Sequence, residues 1–333
     1  MSPTKNRHMK FLALAIVLLG FVLLVSLERS SMTLAQSETA HIRQIRSFDR
    51  DNVGYLTPVG LAFSPVANSF LVLETGAMPL SPAVSTGTWI TPIEERIGTV
   101  SIGADIVEPI NVTFDSKYGR FLLFDSSSDE LIAIKAGPNG TMDLATLTRH
   151  DAGQFGLTNA QGMAVDATSG ELFIVDSSGP RIVRAEPGPN GRFDTAVVSV
   201  VDLKATGLEE VRGIAIDPAS GHLHVYSPGD QELVELMQSG QFVARRDLSE
   251  FALQTPRAMV IAPNGDHTDD PAQMSLYLAD SGGAQKTGTI IEFSFVKPPE
   301  PARLHSSTST TGVSTLVQTI NAWQWDPPST DSA

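Results

Sequence analysis

Cysteine is missing from the 333-residue chain. Its absence excludes disulfide staples, thiolate nucleophiles, iron–sulfur ligation and cysteine-based zinc sites. Positive charge is scarce as well: 23 Lys and Arg stand against 37 Asp and Glu, for a net charge of −14. Residues 1–35 hold four basic residues and one acidic residue, which leaves −17 on the remainder. A body this acidic repels phosphate backbones and anionic headgroups, and no basic cluster offsets it, so nucleic acid is excluded as a partner. Three catalytic signatures are also missing: the Gly-x-Ser-x-Gly elbow, His-Glu-x-x-His and the Gly-Lys-Ser/Thr phosphate loop. Charged residues make up 18% and hydrophobic residues 41%, the balance of a globular chain that buries its own core without staples.

What the chain does have is repetition. Residues 160–185, AQGMAVDATSGELFIVDSSGPRIVRA, read as strand, turn, strand, turn, strand. Leu172-Phe173-Ile174-Val175 is too short for a helix and rich in β formers, and Asp176-Ser177-Ser178-Gly179-Pro180 breaks it. The same phase returns at Gly60, Asn111, Gly162, Gly213 and Ala258, spaced 51, 51, 51 and 45 residues. Second strands end at Glu74, Asp125, Asp176, Ser227 and Asp280, spaced 51, 51, 51 and 53. A period near 50 with three or four strands per unit predicts an all-β fold, a β-propeller with five visible four-stranded blades and room for a sixth. Ile42 to Phe48 alternates in polarity without a blade of its own, and is expected to close the ring as the outer strand of the last blade. In the first blade, residues 77–92 read as a Pro- and Ser-rich excursion, with Arg96 to Ile102 as the third strand.

From Thr57 to Phe295 these segments, among them VTFDSKYGRFLLFDSSSDELIAI and GIAIDPASGHLHVYSPGDQELVEL, resemble NHL-type repeats, the propeller class that includes gluconolactonase-like proteins. The resemblance is specific for fold and open for function, because the class holds lactonases, lyases and pure binding modules. It also implies a layout of successive propellers in one exported chain.

The chain begins with Lys5, Arg7 and Lys10 ahead of an apolar run from Phe11 to Leu27. That pattern is an export signal. Thr33-Leu34-Ala35 offers a cleavage site, and the run is also just long enough to stay as an anchor, so the body is expected outside the cytoplasm, secreted or held by residues 11–27. The propeller is placed at 36–298 and a Pro/Ser/Thr-rich linker at 299–315. Residues 316–333 read as the start of a further blade or a second propeller.

Candidate site residues follow from the repeat phase. Three residues before each phase residue stand Thr57, Glu108, Asn159, Glu210 and Thr255, with Arg212 and Arg257 close by. Loops leading into the innermost strands line one mouth of a propeller channel, so Glu108, Asn159, Glu210, Arg212 and Arg257 are expected to hold a polar ligand or Ca²⁺. A second oxygen cluster, Asp266, Asp269 and Asp270 in the fifth repeat, offers ligands for a hard cation or serves a solvated turn. Gly137-Pro138-Asn139-Gly140 with Asp143, and Gly188-Pro189-Asn190-Gly191 with Asp194, read as hairpin turns or calcium loops. His222 and His224 share one strand face without a third zinc ligand nearby. Asn111-Val112-Thr113 fits a glycosylation acceptor placed on an inner strand. The metal set of gluconolactonase-like proteins is not matched residue by residue. The expected function is therefore a monomeric exported module that binds a protein or glycan without catalysis. The alternative is a metal-dependent hydrolase or lactonase acting at the channel mouth, and a structural cell-surface module within a longer chain is the third reading.

Overall fold

The computed structural model of the chain describes residues 40–48, 57–75, 85–103, 105–265, 273–283 and 288–296. The expectations for residues 1–35, 299–315 and 316–333, and for Asp266, Asp269 and Asp270, lie outside the described residues.

Strand β1 (His41–Ser47) comes first. The first run of four is β2 (Pro58–Ser64), β3 (Ser69–Thr75), β4 (Ser85–Ile90) and β5 (Arg96–Gly103). The second is β6 (Pro109–Asp115), β7 (Arg120–Asp125), β8 (Glu130–Lys135) and β9 (Thr148–Asp151). The third is β10 (Ala160–Val165), β11 (Leu172–Asp176), β12 (Arg181–Glu186) and β13 (Val197–Asp202). The fourth is β14 (Arg212–Ile216), β15 (Leu223–Ser227), β16 (Glu232–Leu236) and β17 (Phe242–Asp247). The last run has three members, β18 (Pro256–Pro263), β19 (Met274–Asp280) and β20 (Thr289–Val296). Each run is an antiparallel sheet in sequence order, and β1 supplies the missing fourth strand of the last sheet, with His41 opposite Val296 and Ser47 opposite Ile291. Helix among the described residues is confined to five three-residue 3-10 turns.

Apolar residues on both faces of the second strands explain how the sheets stack. Leu71 and Leu73 of β3 face Phe121 and Leu123 of β7, while Phe70 and Val72 face Tyr277 and Ala279 of β19. The same division recurs around the molecule and gives five apolar cores, each between two successive sheets. Because one of the five joins the last sheet to the first, the arrangement is a closed ring, a five-bladed β-propeller with β2, β6, β10, β14 and β18 innermost.

The first blade departs from the sequence reading. Its third strand is β4, inside the supposed excursion, and the segment from Arg96 is its fourth. The composition STGTWI hid it. Small and polar residues stand where other blades have Ile, Leu or Val, and at Gly87 the side-chain ends of Leu71 and Val100 occupy the space of a Cβ. Trp89 and Ile90 supply the buried apolar surface instead.

Candidate functional site at the upper mouth

At the waist of the ring, neighbouring inner strands approach closely. A Cβ on Gly162 would lie 2.8 Å from the Cα of Gly213, and one on Gly60 would lie 2.9 Å from the Val112 nitrogen. Asn111 takes the equivalent place with its side chain fully buried. Its Oδ1 accepts from the Leu61 and Val112 amides at 3.1 and 2.8 Å, and its Nδ2 donates to the Met163 carbonyl at 3.0 Å. One amide thus ties three neighbouring inner strands together. This role leaves the side chain closed to glycosylation.

Above the waist every inner strand carries a register shift. It falls between Pro58 and Gly60, Pro109 and Asn111, Ala160 and Gly162, Arg212 and Ile214, and Pro256 and Ala258. Such bulges add one unpaired residue and re-aim its side chain. In four blades the extra residue is Val59, Ile110, Gln161 or Arg257, and all four line one concave pocket of about 360 Å³. In the fourth blade the extra residue is Gly213, at φ +66°, and Arg212 keeps its pairing with Tyr226.

The loops above the bulges are held by the carboxylates that end the second strands. Asp125 accepts from the Val107 and Glu108 amides at 3.2 and 3.1 Å. Asp176 accepts from Thr158 and Asn159, both at 3.0 Å, and from Arg181 at 2.6 Å. Asp280 accepts from Gln254 and Thr255 at 2.8 and 2.7 Å. Burial pushes the Asp176 pKa upward, but Arg181 and the ring of amides outweigh it and hold the carboxyl below its usual value. These aspartates are positioning residues for the mouth.

The expected site residues divide accordingly. Glu108 and Arg257 line the same pocket. Glu210 lies outside that lining and pairs with Arg212 at 2.9 Å. Asn159 reaches the pocket only through Gln161, whose amide donates to its Oδ1 at 2.6 Å, while its own Nδ2 donates to Ser177 Oγ at 2.7 Å. Arg257 has no hydrogen-bond or ion-pair partner among the described residues. Arg257 stands exposed at the pocket, and partial desolvation, then the charge of Arg212, lowers its pKa. Gln161, Val59 and Ile110 were missed in the sequence. The signal was the residue before each phase residue, which breaks the alternation of its strand.

As a cation site the ring is poorly supplied. The Glu210 carboxylate is engaged by Arg212, the Asn159 oxygen by Gln161, and no group of three His, Asp or Glu able to hold a metal occurs among the described residues. The two Gly-Pro-Asn-Gly segments do connect third and fourth strands, and their polar groups are used locally. Asn139 accepts from Thr141, Asp143 caps the amide of Ala145, and Asp194 pairs with Arg192. His222 Nδ1 lies 2.6 Å from Glu235, and His224 is buried, stacked on Phe295 at 4.9 Å.

No family model matches the chain, and no curated protein matches it. Among solved structures it is similar to a luciferin-regenerating enzyme at 10% identity, covering 77% of this chain and 96% of that one with a TM-score of 0.48. It is similar to a nidogen/laminin complex chain at 17% identity, covering 72% and 85%, TM-score 0.46. It is also similar to the PQQ-bound aldose sugar dehydrogenase of Streptomyces coelicolor at 14%, covering 77% and 98%, TM-score 0.44. Enzymes and a binding assembly stand side by side in that set, and the propeller assignment rests on the chain's own sheet topology.

Proposed function

We propose that the protein is an exported propeller of the NHL type that binds an acidic group of a protein or glycan partner at its upper mouth, without catalysis. The observation that carries this reading is the unpartnered Arg257 guanidinium in a pocket shared with Glu108 and Gln161, with Arg212 close enough to depress its pKa. Arg212 is already paired with Glu210, so Arg257 is the guanidinium left for a ligand, and a guanidinium matches a carboxylate in two parallel hydrogen bonds. Glu108 and Gln161 accept from and donate to hydroxyl or amide groups beside the acid, and Val59 and Ile110 supply apolar wall. The donor set described above supports this reading over a metal-dependent hydrolase.

The test is calorimetric titration with oligogalacturonate and with an acidic peptide, each against its neutral methyl ester. The acidic form of one is expected to bind more tightly, and Arg257→Gln to weaken it by about tenfold or more, as loss of a charge-assisted bond entails. Equal binding by wild type and Arg257→Gln would sink the reading. Lactone hydrolysis abolished by Glu108→Gln, or a Ca²⁺-dependent rise in Tm lost in that variant, would favour the enzyme.

A further inference from the structure

Below the waist the chemistry changes. Three residues after each phase residue stand Phe63, Phe114, Val165, Ile216 and Ile261, apolar in all five blades. All five line a second pocket, of about 290 Å³, on the far side of the waist from Arg257. Phe63, Phe114 and Ile216 are only half-buried, although the cores between the blades are filled by fully buried neighbours. The rings are backed firmly: Phe63 packs on buried Phe70 at 5.1 Å between centroids, and Phe114 on buried Phe121 at 4.8 Å. A concave apolar surface with fixed walls, left open to water, is the form of a preorganised site.

The surrounding charges define what fits. Among the described residues no lining side chain is charged. The described charges on the turns of blades two to four are engaged: Lys117 donates to the Ser169 carbonyl, Asp166 accepts from Thr168, Ser169 and Gln238, and Asp217 accepts from Ala219 and Ser220. Among these groups an ionised ligand would be desolvated without a free countercharge. The polar side chains in the described lining are the hydroxyls of Thr113 and Ser116. An apolar cavity of about 150 Å³ holds benzene, so about 290 Å³ gives room for two rings.

We propose that this lower cup is a second binding site, separate from the upper mouth, for a compact neutral apolar molecule of one or two rings bearing at most one hydrogen-bonding group. Its test uses the full chain and a neutral aryl diazirine, photolysed in place, with labelled residues located by peptide mass spectrometry. Site-resolved detection separates the cup from the apolar run at Phe11 to Leu27. Saturable labelling is expected in peptides carrying Phe114, Ile216 and Val260, suppressed by excess naphthalene. Val260→Asp, which buries a charge, and Thr113→Trp, which fills the space, should each reduce it about tenfold or more. Arg257→Gln should leave it unchanged. Should Val260→Asp lower Tm by many degrees, Thr113→Trp decides. Labelling that is absent from the cup, fails to saturate, or persists in a folded Thr113→Trp protein overturns the proposal.

Discussion

At the scale of single residues, buried His224 of blade four carries the clearest pH signature. His224 is 3% exposed, and burial pushes its pKa down to about 4, with Glu235 opposing and Arg246 reinforcing the shift. In the unfolded chain the imidazole takes its proton near pH 6.5. Between 6.5 and 4 the unfolded state therefore binds more protons, and stability falls as pH falls through that window. The loss is complete below about 4 and amounts to about 3 kcal/mol. His224→Phe is expected to flatten the dependence of Tm on pH between 6.5 and 4. An unchanged slope would show that other groups govern the window. Asp176 acts lower on the scale: with its folded pKa depressed, it gives stability that is lost only as pH falls below the carboxylate range. One of these two environments was legible in sequence. The aspartate was readable because strand-ending Asp before Ser or Gly has few roles besides bonding local amides. The burial of His224 was not, since its partner Phe295 lies on another blade.

At the scale of elements, the inner strands do two tasks with one irregularity. They approach so closely that two waist positions tolerate only glycine for lack of space, and each carries a bulge, which in four of the five turns a side chain into the mouth. Gly162→Ala would drive a methyl group to 2.8 Å from the backbone of Gly213, where no flexible neighbour can yield. The expected cost is about 1–3 kcal/mol, read as a lower denaturation midpoint with an unchanged m-value. A neutral outcome would mean that the strands can part at the waist. The period of the repeat was legible here because five copies report it independently. The bulges were not, since a bulge is a matter of pairing and leaves no fixed residue type behind, as Val59, Ile110, Gln161 and Arg257 show. Strand β4 was lost for a related reason: Gly87 and Thr88 answer to their neighbours in the ring and not to strand propensity.

At the scale of the whole molecule, the propeller has two pockets at the two ends of its inner strands, one of mixed lining with an unpaired Arg257 guanidinium above and an apolar cup below. The upper one was legible by phase, which singled out Glu108 and Arg257. The lower one was legible in the same phase and was passed over, because apolar residues three positions after the marker look like core until the axis of the ring is known.

The ring is held shut by β1. Arg46 on this strand bonds Glu292 on β20 at 2.7 Å, across 246 residues of sequence, and Phe48 packs with Phe70 and Tyr277 where the first and last blades meet. Because His41 stands directly opposite Val296, the head of the first strand and the tail of the last are placed as the two sides of a hairpin. A tight turn joining 296 to 41, with the chain opened between 48 and 57, would therefore keep every hydrogen bond of the last sheet while making its outer pairing local. Loop closure grows as the logarithm of length, so the difference between a two-residue turn and some 250 residues is about 4 kcal/mol of ordering entropy at that step. Such a permuted chain is expected to hold the same five sheets and to refold faster, followed through buried Trp89. Equal refolding rates would mean that the chain commits to the ring before its ends meet.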